Sequence, residues 1–249
     1  MRPRFALACG FFFILAIARA AAAPGDYKEI GDGWEDASAM VGMDDYLWIV
    51  HDGSLYRVDA KGGYTELSDG WTETTAMTAL DGFLWIIDTS TLYKVDKKGD
   101  FTKAGKESWD STVAMTAMDG FLWIVDNETL CKVDKKGVYA KVGDDYWDST
   151  VAMTAMGGFL WIVDNETLFK VDKKGDYSEV GDDYWDDIAG MTALGSTLWV
   201  IDSDTLYEVD AKGGWKERGD SWSKVDGIAA LKDALYIISN DSLYRVSVK

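Results

Sequence analysis

Aromatic and acidic residues stand side by side in a loop that recurs along this chain. The two clearest copies are identical and read Asp-Asp-Tyr-Trp, at 144–147 and 182–185. Such residues suit sugar binding, because the C–H faces of a pyranose lie on flat rings while its hydroxyl groups need paired acceptors and donors. The tryptophans of this loop are the first predicted ligand-binding residues: Trp34, Trp71, Trp109, Trp147, Trp185 and Trp222.

A second set of polar groups lies in turns that read Asp-Asn-Glu-Thr, and we expect these turns on the same face as the tryptophan loops. From both loop types, the remaining predicted ligand-binding residues are Asp126, Asn127, Glu128, Asp144, Asp145, Asp164, Asn165, Glu166, Asp182 and Asp183. Two alternatives stay open. The tryptophans would also serve to dock one repeat on the next, and Asp-Asn-Glu-Thr is a favourable hairpin turn in its own right. The turns match no established calcium loop, so no metal site is predicted.

The elements that position these residues follow from an internal repeat. Residues 109–146 and 147–184 differ at only five positions, and the tryptophans recur at spacings of 37, 38, 38, 38 and 37 residues. A fixed period of this length is typical of solenoids and propellers. The chain is therefore six copies of one module.

Each module contains four short strand signals and no helical pattern. In the second module these are Ala76–Leu80, Phe83–Asp88, Leu92–Asp96 and 101–104, joined by Asp-Gly and Asp-Lys-Lys-Gly turns. The second strand is apolar on both faces, which requires a neighbouring sheet on each side. Small residues in the first strand suit a crowded axis, and charged residues in the fourth suit a rim. The sequence predicts an all-β fold, a six-bladed β-propeller of four-stranded antiparallel blades.

The chain ends predict how the ring closes. The sixth module stops after its third strand, and the segment 27–30, Tyr-Lys-Glu-Ile, resembles the fourth strands of other modules. An N-terminal strand that completes the last blade would remove two exposed edges at once.

The first residues have the pattern of an export signal. Arg2 and Arg4 precede an apolar run, and Ala18-Arg19-Ala20 fits a cleavage site. We predict a signal peptide at residues 1–20, with cleavage between residues 20 and 23, and one propeller domain at 24–249. The protein is expected to be secreted, either to the extracellular space or to the periplasm, and not to insert in a membrane.

Net charge limits the kinds of binding partner that we expect, and cysteine content limits the possible disulfides. The formal net charge is −18, and the predicted signal peptide carries three arginines and no acid. Such a field repels phosphate, so nucleic acid is not an expected partner. Only Cys131 remains in the predicted mature chain, so no internal disulfide supports the fold. A monomer that binds glycans or a surface protein is expected.

Candidate catalytic residues are few. A catalytic site needs dissimilar polar groups that converge on one point, and only Asp226 brings charge to the strands expected at the channel. His51, the single histidine, stands where four modules have aspartate. Cys131 replaces a tyrosine or phenylalanine and is expected to be a buried, inert thiol. The sequence predicts a protein that is not an enzyme and has no cofactor.

The order of the conserved-looking segments within each module suggests a family. Trp, Met-Thr-Ala, Leu-Trp-Ile-Val-Asp and Leu-Tyr-Lys-Val-Asp follow one another through nearly the whole mature chain. This pattern resembles the tectonin-type repeat of six-bladed lectin propellers, and the Leu-Tyr-x-Val-Asp-x-Lys-Gly stretch is similar to quinoprotein-type propeller repeats. The tectonin resemblance implies multivalent glycan recognition at sites repeated around the ring.

Three functional hypotheses result. The leading one is a secreted, non-enzymatic, lectin-like propeller whose repeated sites bind a repetitive glycan surface with avidity. The second is a protein-interaction scaffold whose acidic face binds a basic partner. The third is a propeller hydrolase, for which a single asymmetric pocket near the channel would be the distinguishing feature.

Overall fold

Strands that alternate with tight turns account for the secondary structure of this chain. The structure, a computed structural model, describes residues 23–182 and 184–248, which form 24 strands in six antiparallel sheets of four. The signal peptide predicted at residues 1–20 lies outside these residues. Within the described ranges no helix is long and apolar enough to cross a membrane.

Each sheet is one blade, with its strands in chain order from the axis to the rim. The exception is β1 (Tyr27–Asp32), the outermost strand of blade 6. Blade 1 has β2 (Ala39–Met43), β3 (Tyr46–His51), β4 (Ser54–Val58) and β5 (Tyr64–Asp69). Blade 2 has β6 (Thr74–Leu80), β7 (Phe83–Asp88), β8 (Thr91–Val95) and β9 (Phe101–Lys103). Blade 3 has β10 (Thr112–Met118), β11 (Phe121–Asp126), β12 (Thr129–Val133) and β13 (Tyr139–Lys141). Blade 4 has β14 (Thr150–Met156), β15 (Phe159–Asp164), β16 (Thr167–Val171) and β17 (Tyr177–Glu179). Blade 5 has β18 (Ile188–Leu194), β19 (Thr197–Asp202), β20 (Thr205–Val209) and β21 (Trp215–Gly219). Blade 6 has β22 (Val225–Leu231), β23 (Ala234–Ser239), β24 (Ser242–Ser247) and then β1.

The innermost strands form a closed ring. Each of β2, β6, β10, β14, β18 and β22 contacts the innermost strand of the next blade, and β22 contacts β2. The predicted six-bladed propeller is confirmed.

Blade 6 is completed by the N-terminal strand, as the sequence predicts. Strand β1 pairs antiparallel with β24, from Tyr27 opposite Val246 to Asp32 opposite Ser242. The Tyr27 ring lies 4.9 Å from Trp222 and 5.5 Å from Tyr244, centroid to centroid, in edge-on geometry. The two ends of the chain therefore share one sheet and one aromatic cluster.

The hydrophobic core lies between blades. Trp123 of β11, for example, is fully buried in a cluster that includes Met153 and Leu160 of blade 4. Its indole N–H donates to the Met118 carbonyl at 3.3 Å, so the buried polar atom is paired. Neighbouring blades cover both faces of each second strand. This explains why these strands are apolar along their length and do not alternate between apolar and polar residues.

Candidate functional site

The tryptophan loops and the turns between second and third strands lie together on one face, which we call the tryptophan face. The backbone N–H of Trp147 donates to the carbonyl of Glu128 at 3.0 Å, and that of Trp185 donates to Glu166 at 2.9 Å. The same bond recurs at the other tryptophans, each time to the turn of the preceding blade. The loops are therefore fixed by backbone bonds between blades.

The six loop tryptophans are buried. Trp34, Trp71, Trp109, Trp147, Trp185 and Trp222 have exposures of only 3–5%. The Trp147 ring, for example, lies 5.7 Å from Phe169 and 5.6 Å from Tyr177, edge to face. Rings packed in this way offer no free face to a sugar, so blade docking, the alternative that the sequence left open, describes their environment.

The aspartates that begin the Asp-Asn-Glu-Thr turns are used inside the protein. Asp126 accepts the backbone N–H of Ser111 at 3.1 Å and the hydroxyl of Thr112 at 2.8 Å. Asp164 binds Ser149 and Thr150 in the same way. We call this the loop brace, because in blades 2 to 5 it holds the tryptophan loop to the second strand of the same blade.

The remaining predicted residues are exposed on the tryptophan face. Asn127, Glu128, Asn165 and Glu166 form the tips of turns, with φ between 46° and 62°. Asp144, Asp145 and Asp182 are exposed loop residues, and Asp183 lies outside the described residues.

One of the repeated loops borders a cleft of about 420 Å³. Its lining includes Asp145, Tyr146, Asp148, Asn165 and Tyr177. Tyr146 is 72% exposed, with the Lys141 ammonium 5.7 Å from its ring centroid, so its ring is open to solvent whereas the neighbouring tryptophan ring is not. The tyrosine was visible in the loop sequence, but sequence alone does not tell which of two adjacent aromatic rings is buried.

The loop brace is interrupted in blade 1, where His51 takes the place of the aspartate. In blades 2 to 5 the backbone N–H two residues after the tryptophan donates to that carboxylate. The corresponding N–H, that of Asp36, donates instead to the carboxylate of Asp226 in blade 6. The N–H of Glu35 donates to Asp241 Oδ1, also in blade 6, at 3.0 Å. The loop of blade 1 is therefore tied across the junction where the ring closes.

Several ionisable groups meet at this junction. We name Glu35, Asp36, His51, Lys224, Asp226 and Asp241 the seam site. Burial raises the pKa of the Asp226 carboxyl, and the nearby carboxylates of Asp36 and Glu35 raise it further, whereas the Asp36 N–H and His51 lower it. The net shift of the Asp226 pKa is upward. A carboxylate with a raised pKa is a stronger base than an exposed one.

The imidazole of His51 lies between the core and the surface. Its ring packs edge-on against Trp34 at 5.6 Å, and its Nδ1 is buried without a hydrogen-bond partner among the described residues. With Nδ1 buried, Nε2 is the nitrogen that can face the cleft that His51 lines.

Two adjoining clefts open at the seam site. The first, of about 680 Å³, is lined by His51 together with Glu35, Asp36 and Asp241. The second, of about 510 Å³, shares those three acidic residues and is also lined by Lys224 and Asp226. These volumes are in the range of small-molecule sites.

The backbone of both loops at the seam is strained. Asp36 has φ of 60° and Lys224 has φ of 49°, while the equivalent residues of blades 2 to 5 avoid the left-handed region. Non-glycine residues in this region cost about 1 kcal/mol or more and concentrate at functional sites. The seam therefore differs from the other blade junctions in backbone as well as in side chains.

No group of three or more His, Cys, Asp or Glu side chains in the described part of the chain is arranged to hold a metal ion. Cys131 is buried, and burial raises its pKa to about 11, so its reactive thiolate is scarce.

Comparison with known proteins places the fold among solved propellers. No family model matches the chain, and no curated protein sequence matches it. A streptogramin B lyase structure has a TM-score of 0.68 at 13% identity, covering 90% of this chain and 98% of that one. A catalytically inactive histidine-to-alanine variant of virginiamycin B lyase from Staphylococcus aureus, with quinupristin, has a TM-score of 0.66 at 12% identity, covering 90% and 100%. A gluconolactonase from Xanthomonas campestris has a TM-score of 0.73 at 12% identity, covering 90% and 89%.

These similarities correct two expectations. At such identities they establish the propeller fold alone, so the tectonin-type assignment is not confirmed. The prediction that the protein is not an enzyme was wrong as argued, because solved structures like it include a lyase and a gluconolactonase. It also rested on the lack of an asymmetric polar cluster, and the seam site is such a cluster. Ring closure brings Glu35 and Asp36 beside Asp226, which lies at the far end of the sequence.

Proposed function

We propose that this protein is an enzyme that hydrolyses an ester or lactone by acid–base catalysis at the seam site. The observation that carries the proposal is the junction of Asp226, Asp36, Glu35 and His51 in one pair of clefts, between two blades in which His51 and Ser239 replace the bracing aspartate. Five of the six blade junctions lack a histidine, since His51 is the only one in the chain.

The proposed roles follow from the protonation chemistry of the two residues. The Asp226 carboxylate, a stronger base because its pKa is raised, takes a proton from water. The oxygen of that water forms a bond to the carbonyl carbon, and the tetrahedral intermediate then breaks its bond to the leaving oxygen. In its imidazolium form, His51 gives its Nε2 proton to this alkoxide. Asp226 finally passes its proton to His51, directly or through solvent, which restores both groups, and the product is an acid and an alcohol, or a hydroxy acid from a lactone.

The comparisons support a ring-opening or ester-cleaving reaction only by analogy of fold. The similar structures are named as a gluconolactonase and as lyases, one of them inactive without a histidine. The fold thus accommodates enzymes, and the seam site supplies groups suited to acid–base catalysis here. We further propose that the reaction takes place outside the cytoplasm, on the basis of the sequence pattern at residues 1–20.

Hydrolysis of a panel of five- and six-membered lactones and of p-nitrophenyl acetate tests this proposal. For each substrate turned over, mass spectrometry should show the gain of one water, which an elimination would not give. His51→Gln and Asp226→Asn should each lower kcat/KM by about 10²-fold to 10⁴-fold, the usual contribution of a general acid or base.

The matched control is Asp148→Asn. Asp148 follows Trp147 as Glu35 follows Trp34, on the same face but in a blade with an intact loop brace. The Asp148→Asn variant should hydrolyse each substrate with the same kcat/KM as the unaltered protein. Activity that survives both seam substitutions, or no hydrolysis of any substrate by folded protein, would refute the proposal.

A second candidate function, carbohydrate binding, is favoured by the cleft beside Tyr146. An exposed tyrosine ring with Asp145, Asp148 and Asn165 around it offers stacking and hydrogen bonding to one sugar. A glycan array with Tyr146→Ala as the matched variant tests it, and an unchanged binding pattern would contradict this assignment.

A further inference from the structure

Five of the six innermost strands carry a β-bulge that places one residue at the channel mouth. In β6, β10, β14, β18 and β22 the register shifts across one residue near the strand start. The skipped residues are Thr75, Val113, Val151, Ala189 and Asp226. In blade 1, Ser38 stands at the same position, just before β2. We call these six residues the mouth ring.

The chemistry of the mouth ring changes from one side to the other. Asp226 belongs to both the mouth ring and the seam site. On the side of blades 3 and 4, Val113 and Val151 are 52% and 56% exposed, although valine normally avoids water. The bulge removes these two side chains from the sheet ladder and leaves their methyl groups at the channel mouth. The mouth therefore has an acidic side and an apolar side.

The channel below the mouth is lined by methionine and threonine side chains and by strand backbone. It encloses about 240 Å³, and its lining includes a methionine from each of blades 1 to 5: Met40, Met77, Met115, Met153 and Met191. Threonine hydroxyls and strand backbone make the exposed lining of the channel more polar than apolar, so the apolar surface offered to a substrate is that of Val113 and Val151 at the mouth.

We infer that the substrate of the seam site is an uncharged or cationic ester or lactone that carries a short apolar chain. Its carbonyl group lies at Asp226 and His51, and its chain lies against Val113 and Val151 across the channel mouth. The carboxylates of Glu35, Asp36 and Asp241 repel an anionic substrate. This inference rests on the proposed function, and it excludes a sugar lactone with hydroxyl groups on every carbon.

A chain-length series tests the inference with the intact protein. The substrates are p-nitrophenyl acetate, butanoate, hexanoate and octanoate, and glucono-δ-lactone is the polyhydroxylated comparison. We expect kcat/KM to rise at least tenfold from the acetate to the hexanoate ester, mainly through KM, and glucono-δ-lactone to be the poorest substrate. The double variant Val113→Thr and Val151→Thr keeps the branched shape and should remove most of the rise in kcat/KM from the acetate to the hexanoate ester.

The matched control is Val138→Thr. Val138 is also an exposed valine, at 63%, but it follows the turn between the third and fourth strands, at the other end of the blade. This variant should retain the full chain-length dependence. Equal loss in this control and in the double variant would mean that the effect is general, and it would overturn the inference.

Two further outcomes separate this inference from the proposed function. If esters are cleaved through His51 and Asp226 but kcat/KM does not depend on chain length, the proposed function stands and the apolar subsite is refuted. If no ester or lactone is cleaved, both are refuted. Ligand-observed NMR with hexanamide and acetamide supplies a readout besides turnover, and selective binding of hexanamide, lost in the double variant, is expected.

Discussion

Removing one loop brace should measure how strongly the tryptophan face is held together. Asp88 is the best site for this change, because it is only 4% exposed and its carboxylate binds both a backbone and a side-chain donor. It accepts the N–H of Glu73 at 3.0 Å and the hydroxyl of Thr74 at 2.9 Å. Asp88→Ala leaves both donors without a partner, and it also removes the acceptor of the Thr89 hydroxyl, which donates to Asp88 Oδ2 at 3.0 Å.

The magnitude follows from those two bonds. A buried donor left unpaired costs about 1–3 kcal/mol. The Thr74 hydroxyl is buried and the Glu73 N–H is partly buried, so we expect Asp88→Ala to lower the free energy of unfolding by about 2–4 kcal/mol. Asp88→Asn keeps an acceptor oxygen and loses only the charge, so its effect should be smaller.

Urea unfolding followed by tryptophan fluorescence measures this change, with the slope expected to stay constant. Asp134→Ala is the control. Asp134 accepts two backbone N–H groups, of Lys136 at 2.8 Å and Val138 at 2.9 Å, but in an exposed turn where water replaces it. A loss at Asp88 below about 0.5 kcal/mol, or no larger than the loss at Asp134, would refute the idea that burial makes the brace strong.

Three other predictions concern the seam, ring closure and the thiol. Burial raises the pKa of Asp226 in the folded state above its ordinary value of 3.8, so the folded protein binds this proton more tightly than the unfolded chain does. The free energy of unfolding should therefore fall as the pH rises from 3.8 to the raised pKa of the folded state. Asp226→Asn should therefore melt higher than the unaltered protein at neutral pH and equally well below the ordinary aspartate pKa; equal melting at both would contradict the shift. Deletion of residues 26–31 removes most of β1 and should broaden and lower the thermal transition, whereas an unchanged melting curve would contradict closure by this strand. Cys131, whose pKa is raised to about 11, should react with a thiol reagent at neutral pH only after unfolding, and fast labelling of folded protein would show that it is accessible.

The blade architecture could be predicted because every relevant signal is local. Turn sequences such as Asp119-Gly120 fix hairpins, and the apolar second strands require cover on both faces. Repetition then multiplies one local solution six times. Even closure was predictable, since Tyr27 and its neighbours resemble the strand that blade 6 lacks.

The candidate site could be predicted only in part. His51 and Asp226 both break the repeat, so sequence identifies them as unusual. Their significance depends on Asp36, whose N–H binds Asp226 because no bracing carboxylate exists in blade 1. Sequence comparison within one repeat cannot show a bond between two repeats.

The tryptophans illustrate the same limit. Position and composition suggested that Trp147 was a ligand platform, yet it is buried and its neighbour Tyr146 is exposed. The Trp147 ring is buried because it packs against Phe169 and Tyr177. Which of two adjacent rings takes that position depends on tertiary packing.

The amino-acid sequence by itself determined the strands, the turns, the number of blades and the strand that closes the ring, because these depend on contacts between residues near in the chain or related by the repeat. The tertiary structure alone decided that the loop of blade 1 meets blade 6, that an acidic cluster with one histidine forms there, and that Val113 and Val151 lie on the opposite side of the same channel mouth. Closing a ring brings together the two ends of the chain, and no local pattern records which side chains will meet.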